Sequence, residues 1–443
     1  MSVTPHCITL REWEYCTPES SDSTLAGVFL KDDPETKRIV QALSESRTLE
    51  IAELRNGLSI RASSFIGRIT LGDLQITVQP KITGAPFIRL LRYAYDLRDL
   101  DLSTVTSYVT EQSAFQELLI AQLIEEVQEL ISRGLQRRYV RRDEEMVSPR
   151  GTLQVHRIVR QGGVVSATLP CTYYPRIEDC LINQVLLQGL LLAARLTNDS
   201  TLLHQLYHLA RPLQENVNAI RLDNHVLKKL YREMDRLTAA YRSAIKLIEL
   251  LQAGEGIALN EDTATMLLPG FLFDMNLFFQ TLLSRFLREH VQGYTVQDQY
   301  NIRGMMSYDP AHNPQNRQAP TLRPDYVVHR GANVVAILDA KYRDLWESRL
   351  PEHMLYQLAM YALSQPGGVE ATILYPTISS DAEDARIIIR DPIYEESRAS
   401  VVLRPVNLLE LDELLNSSRT IGNQRKRSVF AEWLAFGRVN ASH

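Results

Sequence analysis

Asp325, Asp339 and Lys341 are the side chains whose types and spacing could do chemistry. They lie in Arg323-Pro324-Asp325-Tyr326-Val327-Val328 and, beyond Gly331-Ala332-Asn333, in Val334-Val335-Ala336-Ile337-Leu338-Asp339-Ala340-Lys341. Runs rich in Val and Ile on either side of a short Gly/Asn segment predict two antiparallel strands joined by a three-residue loop. Pairing Arg330 with Val334 across that loop puts Asp325 directly opposite Asp339. Opposed side chains share a face at about 4.5–5.5 Å between Cβ atoms, close enough for two carboxylates to hold one divalent cation. Lys341, two residues on, returns to that face, while Ala340 turns its side chain away and offers only its carbonyl oxygen. Neighbouring carboxylates raise each other's pKa unless a cation lies between them, so a hard, oxygen-seeking ion is expected: magnesium, with manganese as a substitute. The chemistry this trio supports is phosphodiester hydrolysis, with the ion activating water and neutralising phosphate charge while the lysine orients the nucleophile or stabilises the charge that develops.

An Asp-x-Lys alone carries little, since a chain of this charge content should contain roughly one or two by chance. The plainer alternative is a salt bridge from Lys341 to Asp325 or Asp339. The functional reading gains from Pro324-Asp325 standing on a strand of its own at hairpin separation, and from the cost of burying an Asp at the end of an apolar strand without a partner. A helix is expected from about Glu352 to Ser364, with Leu355, Leu358, Ala359 and Ala362 as its apolar stripe. Gln357 and Tyr361 share one of its faces; Gln357 either positions water or phosphate beside the metal or is an ordinary polar flank.

Ahead of the hairpin, Phe271 to Val291 reads as an amphipathic helix and Tyr294 to Ile302 as a strand; after it, Ala371–Tyr375 and Ala385–Ile389 read as strands. This order of helix, three strands, helix and strand, with Pro324-Asp325 and Asp339-Ala340-Lys341, resembles the PD-(D/E)xK nuclease superfamily. More narrowly the chain resembles the McrC family, nuclease subunits of McrBC-type modification-dependent restriction systems. That likeness is carried by Gly67 and Pro80-Lys81-Ile82, by Arg150-Gly151 and Asn183, and by Arg323-Pro324-Asp325, Asp339-Ala340-Lys341-Tyr342, Gln357-Leu358 and Tyr361-Ala362. It implies a magnesium-dependent DNA endonuclease in which Asp325, Asp339 and the Ala340 carbonyl hold the metal and Lys341 and Gln357 assist. It also implies a hexameric McrB-like AAA+ GTPase partner, into which an N-terminal region docks and whose turnover it stimulates. The sequence departs from the family at one place: Phe279-Gln280 stands where relatives often carry Phe-Glu, so a third acidic ligand from that helix is in doubt, with Asp274 the substitute at hand.

At 443 residues and 45% apolar content the chain can fill two or three globular domains. The expected class is α+β multidomain: residues 1–150, a β-rich then helical partner-docking domain; 151–265, a hairpin and helical connector; 266–443, an α/β nuclease core with a mixed sheet. The N-terminal third is strand-rich, with Ile8 to Trp13 and several period-two runs from Leu58 to Ile82. Gly72-Asp73, flanked by Leu71 and Leu74, signals a hairpin that would project from its domain, or else pack as part of a small β-domain. Phe87 to Leu97, Ala114 to Leu135 and most of Ile182 to Leu251 read as helix, including an unbroken Val226 to Leu251. Leu153 to Val159 and Val164 to Leu169 read as a hairpin, and the proline-punctuated stretch from Ser307 to Thr321 as a loop.

The formal charge of −5 argues against a protein that coats DNA unaided, because non-specific affinity comes mainly from phosphate neutralisation. Two local clusters remain: Arg133, Arg137, Arg138, Arg141 and Arg142 read as a DNA path, a partner contact or a solvated face, and Arg425-Lys426-Arg427 is a second basic run. Cys7, Cys16, Cys171 and Cys180 lack metal-ligand spacing and read as reduced thiols. No apolar run approaches the roughly 20 residues that span a bilayer, and a cytoplasmic location without membrane contact is the default. No G-x-x-x-x-G-K-[ST] motif occurs, so nucleotide hydrolysis would belong to a partner. The alternatives are a non-catalytic adaptor that activates an AAA+ motor and a stand-alone repair nuclease.

Overall fold

In a computed structural model the chain is described over residues 6–20, 25–97, 115–160, 167–259, 264–267, 269–302, 305–364, 370–418 and 420–437. It forms a mixed α/β structure with several sheets. Its two compact units are interleaved in sequence: one comprises Met1–Cys7, Gly67–Thr77 and Leu100–Phe273, the other Ile8–Ile66, Val78–Asp99 and Asp274–His443. Compactness therefore joins the early strands to the C-terminal third, where the sequence suggested consecutive domains.

The second unit carries the predicted trio. Its C-terminal part runs α1 (Met275–His290), β1 (Thr295–Asp298), β2 (Tyr326–Arg330), β3 (Asn333–Ala340), α2 (Glu352–Leu363), β4 (Ala371–Thr377), β5 (Ala385–Arg390), β6 (Ser397–Asn407), α3 (Leu408–Asn416) and α4 (Ile421–Phe436). The six strands form one mixed sheet in the order β1-β2-β3-β4-β6-β5. β1, β2 and β3 are antiparallel neighbours, and β4 runs parallel to both β3 and β6. A parallel step needs a crossover, and α2 supplies the one between β3 and β4. Val327 and Ile337, paired across β2 and β3, bury themselves with Leu358, Tyr361, Ile373 and Tyr375 as a core under α2. Period two places Asp325 and Asp339 on this face, at the strand ends where the apolar core stops.

The hairpin differs from expectation in a way that leaves its working end unchanged. Arg330 pairs with Asn333, not Val334, so the turn is the two-residue Gly331-Ala332, with Gly331 at φ +62°. A bulge between Val328 and His329 then absorbs Val335, after which Val328 pairs with Ala336 and Tyr326 with Leu338. Two-residue hairpins favour positive φ in the turn, which glycine accepts freely, and the bulge restores the register that a three-residue loop would have set.

Other boundaries move for local reasons. Gly270–Asp274 is a strand, and the helix expected from Phe271 starts at Met275, because Asp274 caps it by accepting from the Asn276 amide at 2.8 Å. The strand expected through Ile302 ends at Asp298, where Gln299 takes a φ of +52°. Val155–Arg160 is helical rather than the first arm of a hairpin, and 164–166 of the second arm lie outside the described residues. Asp235, accepting from the Leu237 and Thr238 amides, forms a turn that splits the continuous helix expected from Val226 into Asn224–Glu233 and Arg242–Glu255. The helix expected from Ala114 is described from Phe115 to Arg133.

The Gly72-Asp73 turn does join two strands, Phe65–Leu71 and Leu74–Gln79. They do not project; they are the inner pair of a four-stranded sheet between His6–Arg11 and Gly270–Asp274. Gly67 allows the close approach this requires: at φ +134°, a Cβ there would stand 2.2 Å from the Phe271 carbonyl oxygen. Gly67→Ala is therefore expected to destabilise the protein by about 2–4 kcal/mol, combining backbone strain with a forced backbone shift. Chemical denaturation checks this, and an unchanged midpoint would contradict it.

Candidate active site

Asp325 immediately precedes β2 and is only 7% exposed. Its carboxylate is held by three donors: the Ala340 amide to Oδ2 at 2.9 Å, Gln280 Nε2 to Oδ2 at 3.2 Å, and Gln299 Nε2 to Oδ1 at 3.1 Å. Its main chain is fixed as well, since the Gln299 amide donates to the Asp325 carbonyl at 2.8 Å. Gln280 comes from α1, whose position is set in part by the Tyr326 hydroxyl donating to the Gln280 carbonyl at 2.6 Å. The glutamine at the departure from the family pattern therefore reaches the site as a donor, whereas Asp274 is spent on capping α1. Gln299 was not singled out from sequence, because only the left-handed turn after β1 brings its amide back to Asp325.

Asp339, the penultimate residue of β3, is 1% exposed. Lys341 Nζ lies 2.9 Å from its Oδ2. This ammonium is the cation that opposes the rise of the Asp339 carboxyl. The Lys341 amide donates to the Leu374 carbonyl at 3.0 Å, continuing the β3–β4 ladder one residue past β3. Burial, and then the neighbouring Asp325 charge, push the Asp339 carboxyl up to about 6, with Lys341 opposing. Asp325 is also raised by burial, against the pull of Lys341, the Ala340 amide and the two glutamines. The trio thus converges as its spacing predicted.

Gln357 Nε2 donates to the Tyr361 hydroxyl at 2.6 Å. The Tyr361 phenol is pushed up to about 12 by burial, with the Asp339 and Asp325 charges adding to the rise against the Gln357 hydrogen bond. Tyr361 therefore stands within the electrostatic reach of both carboxylates, and Gln357 is tied to the site through it.

Two ionised carboxylates against one ammonium leave a buried excess of one negative charge. Two neighbouring buried carboxylates suit an ion that takes one or two carboxylates and keeps its own waters, which is the habit of magnesium. Among the described residues no group of three or more His, Cys, Asp or Glu side chains is placed to hold a metal, so the set is too small for a closed zinc cage. The cysteines form no disulfide among the described residues, with Cys171 and Cys180 buried and Cys7 exposed.

A model of the family described as the McrBC 5-methylcytosine restriction system component matches residues 60–376. The chain belongs to this family. The resemblance read from its motifs is thereby borne out. No curated protein matches the chain. Its fold is similar to that of a chain in the refined half-complex from the tetradecameric assembly of Thermococcus gammatolerans McrB AAA+ hexamers with bound McrC. The likeness covers 96% of this chain and 99% of that one at 19% identity, with a TM-score of 0.60. A chain of the cryo-EM structure of the Thermococcus gammatolerans McrBC complex aligns over 63% of this chain and 87% of that one at 19% identity, with a TM-score of 0.45.

The basic clusters of this McrBC-family chain are partly neutralised. Arg133 pairs with Glu129, Arg137 with Glu178, Arg141 with Asp143 and Arg142 with Glu144. Arg427 donates to the Leu414 and Ser417 carbonyls at 2.8 and 2.7 Å, closing the end of α3. No described helix is long and apolar enough to cross a membrane.

The raised Asp339 value fixes the sign of a pH effect. The folded value of about 6 exceeds the ordinary 3.8, so the stabilisation from this group is complete below the lower value and is lost as pH rises through the higher one. In metal-free protein Asp339→Asn should therefore gain stability relative to wild type as pH rises from about 5 to about 7. Denaturation of both proteins across that range measures it, and a constant difference would contradict the raised value.

Proposed function

We propose that this chain is the magnesium-dependent DNA endonuclease subunit of a McrBC-like restriction complex. In this reading β1–β4 with α1 and α2 form a PD-(D/E)xK core, and the chain is activated by an AAA+ GTPase hexamer whose turnover it stimulates. The observation that carries the reading is the meeting of Asp325, Asp339 and Lys341 at one buried strand end, two carboxylates against one ammonium. An ion pair alone would need only one carboxylate. The second, buried beside it and held by three donors, is explained by a cation that the two share.

Asp325, Asp339 and the Ala340 carbonyl would hold magnesium, which when bound supplies Lewis-acid polarisation of the scissile phosphate and a more acidic water. The ammonium of Lys341 stabilises the negative charge that develops on the phosphate, or orients the nucleophile. Gln280 and Gln299 fix the Asp325 carboxylate, so that little reorganisation is needed on reaction. Gln357, held through Tyr361, positions water or phosphate. Residues 1–150 are proposed as the partner-docking portion, 151–265 as connector and 266–443 as the nuclease portion. The formal charge of −5 agrees with targeting supplied by the partner, and the matched family and the fold shared with a chain from McrB hexamers with bound McrC point to an AAA+ ring.

Supercoiled DNA incubated with magnesium, with and without the co-purified nucleotide-hydrolysing subunit, tests the proposal. Asp339→Ala and Lys341→Ala are each expected to lower cleavage by about 10²-fold or more while leaving stimulation of the partner's turnover intact. Cleavage that survives either substitution would remove the assignment.

A further inference from the structure

Glu12 is another buried carboxylate, and nothing in the proposed chemistry uses it. It stands just past the strand His6–Arg11, 2% exposed, with its amide donating to the Gln79 carbonyl at 3.0 Å. Both of its side-chain hydrogen bonds fall on one oxygen: Oε1 accepts from the Lys81 main-chain amide at 2.7 Å and from the Tyr342 hydroxyl at 2.9 Å. Oε2 is buried with no donor.

Tyr342 is the residue after Lys341. Its ring packs edge-on against Phe279, at 5.9 Å between centroids, beside the Gln280 that donates to Asp325. Beyond it the chain is braced twice more onto the same N-terminal segments: the Arg343 guanidinium lies over the Trp13 ring at 5.6 Å, and Glu347 pairs with Lys81 Nζ at 3.2 Å. A cavity of only about 20 Å³ remains among Glu12, Lys81, Tyr342, Asp344 and Thr377. A carboxyl buried this deeply is costly to keep, and burial pushes Glu12 up to about 7 in spite of its two donors. That cost, set at the end of the strand that delivers Lys341, calls for a role.

We propose that Glu12 is a positioning residue for Lys341: its Oε1 clamps the Tyr342 hydroxyl to the Lys81 amide and thereby fixes the chain end that presents the Lys341 ammonium to Asp339. The inference rests on the nuclease reading and deepens it. β3 ends at Ala340, so Lys341 and Tyr342 lie beyond the strand, held by the ladder bond from the Lys341 amide to the Leu374 carbonyl, by the Arg343 amide donating to the Lys341 carbonyl, and by the Tyr342 anchor. A misplacement of about 1 Å in a catalytic group is enough to cost about 10²-fold in rate.

The clamp makes an unusual demand that a general packing role does not. Because both donors share Oε1, Glu12→Gln keeps the whole acceptor, whereas Glu12→Ala removes it and Tyr342→Phe removes only the hydroxyl while leaving the ring on Phe279. In the full-length chain with magnesium, supercoiled DNA and the co-purified partner, Glu12→Ala and Tyr342→Phe should each slow cleavage by about 10–100-fold. Glu12→Gln should stay within about threefold of wild type, and the Glu12→Ala/Tyr342→Phe double variant should be no slower than the slower single, because both remove one interaction. DNA and magnesium affinities should not change.

NMR of lysine ε-carbons gives an independent reading, with the Lys341 signal assigned by its loss in Lys341→Arg. It should shift or broaden in Glu12→Ala and Tyr342→Phe and stay in place in Glu12→Gln. Wild-type cleavage by Glu12→Ala and Tyr342→Phe, multiplied effects in the double variant, or Glu12→Gln as slow as Glu12→Ala would overturn the clamp. Wild-type cleavage by Lys341→Ala would instead overturn the nuclease reading, and the lysine NMR signal would still decide the clamp.

Discussion

Asp325 and Asp339 are buried within electrostatic reach of each other, and almost everything around them answers that constraint. Burial raises the pKa of both groups, and mutual repulsion adds to the effect at Asp339. The protein counters with one full charge, Lys341, and with three neutral donors aimed at Asp325. One ammonium does not neutralise two ionised carboxylates, and the proposed cation would make up the remainder.

The same constraint explains why the trio sits where it does. Along β2 and β3 the face under α2 is apolar, and the charged residues begin only where the strands run out. There Asp325 gains donors from α1 and from the turn after β1, and Lys341 continues the ladder onto β4. A strand end thus offers what a strand middle cannot: a face shared with a hydrophobic core for rigidity, and main chain free to turn its amides and carbonyls toward the site. The segments that brace this end from Glu12, Trp13 and Lys81 come from the beginning of the chain and belong to the same compact unit.

Much of the site was legible in the sequence because it depends on local period and turn chemistry. Apolar runs around a Gly/Asn break predicted the two strands, their register put Asp325 opposite Asp339 on one face, and the strand-helix-strand order around α2 followed from clear periodicity. Even the hairpin's wrong loop length did no damage, because the bulge at Val335 cancelled the one-residue error before the register reached the carboxylates. The donors that tune the site were not legible. Gln299 reaches Asp325 only because its φ is positive, and Glu12 meets Tyr342 across 330 residues of sequence. Neither fact leaves a periodic trace. Interleaving of the compact units was hidden for the same reason: the strands at residues 57–79 look uniform in sequence, yet the division passes through them twice.

Whether Asp325 and Asp339 share one hard cation can be seen directly. Crystals of the full chain soaked in manganese, a substitute for magnesium with strong anomalous scattering, locate such an ion directly. The account predicts a single anomalous peak bonded to the carboxylates of Asp325 and Asp339 and to the Ala340 carbonyl, with Lys341 displaced little. A fully formed Lys341–Asp339 pair with no peak beside it would contradict the account, as would a peak bound to other residues.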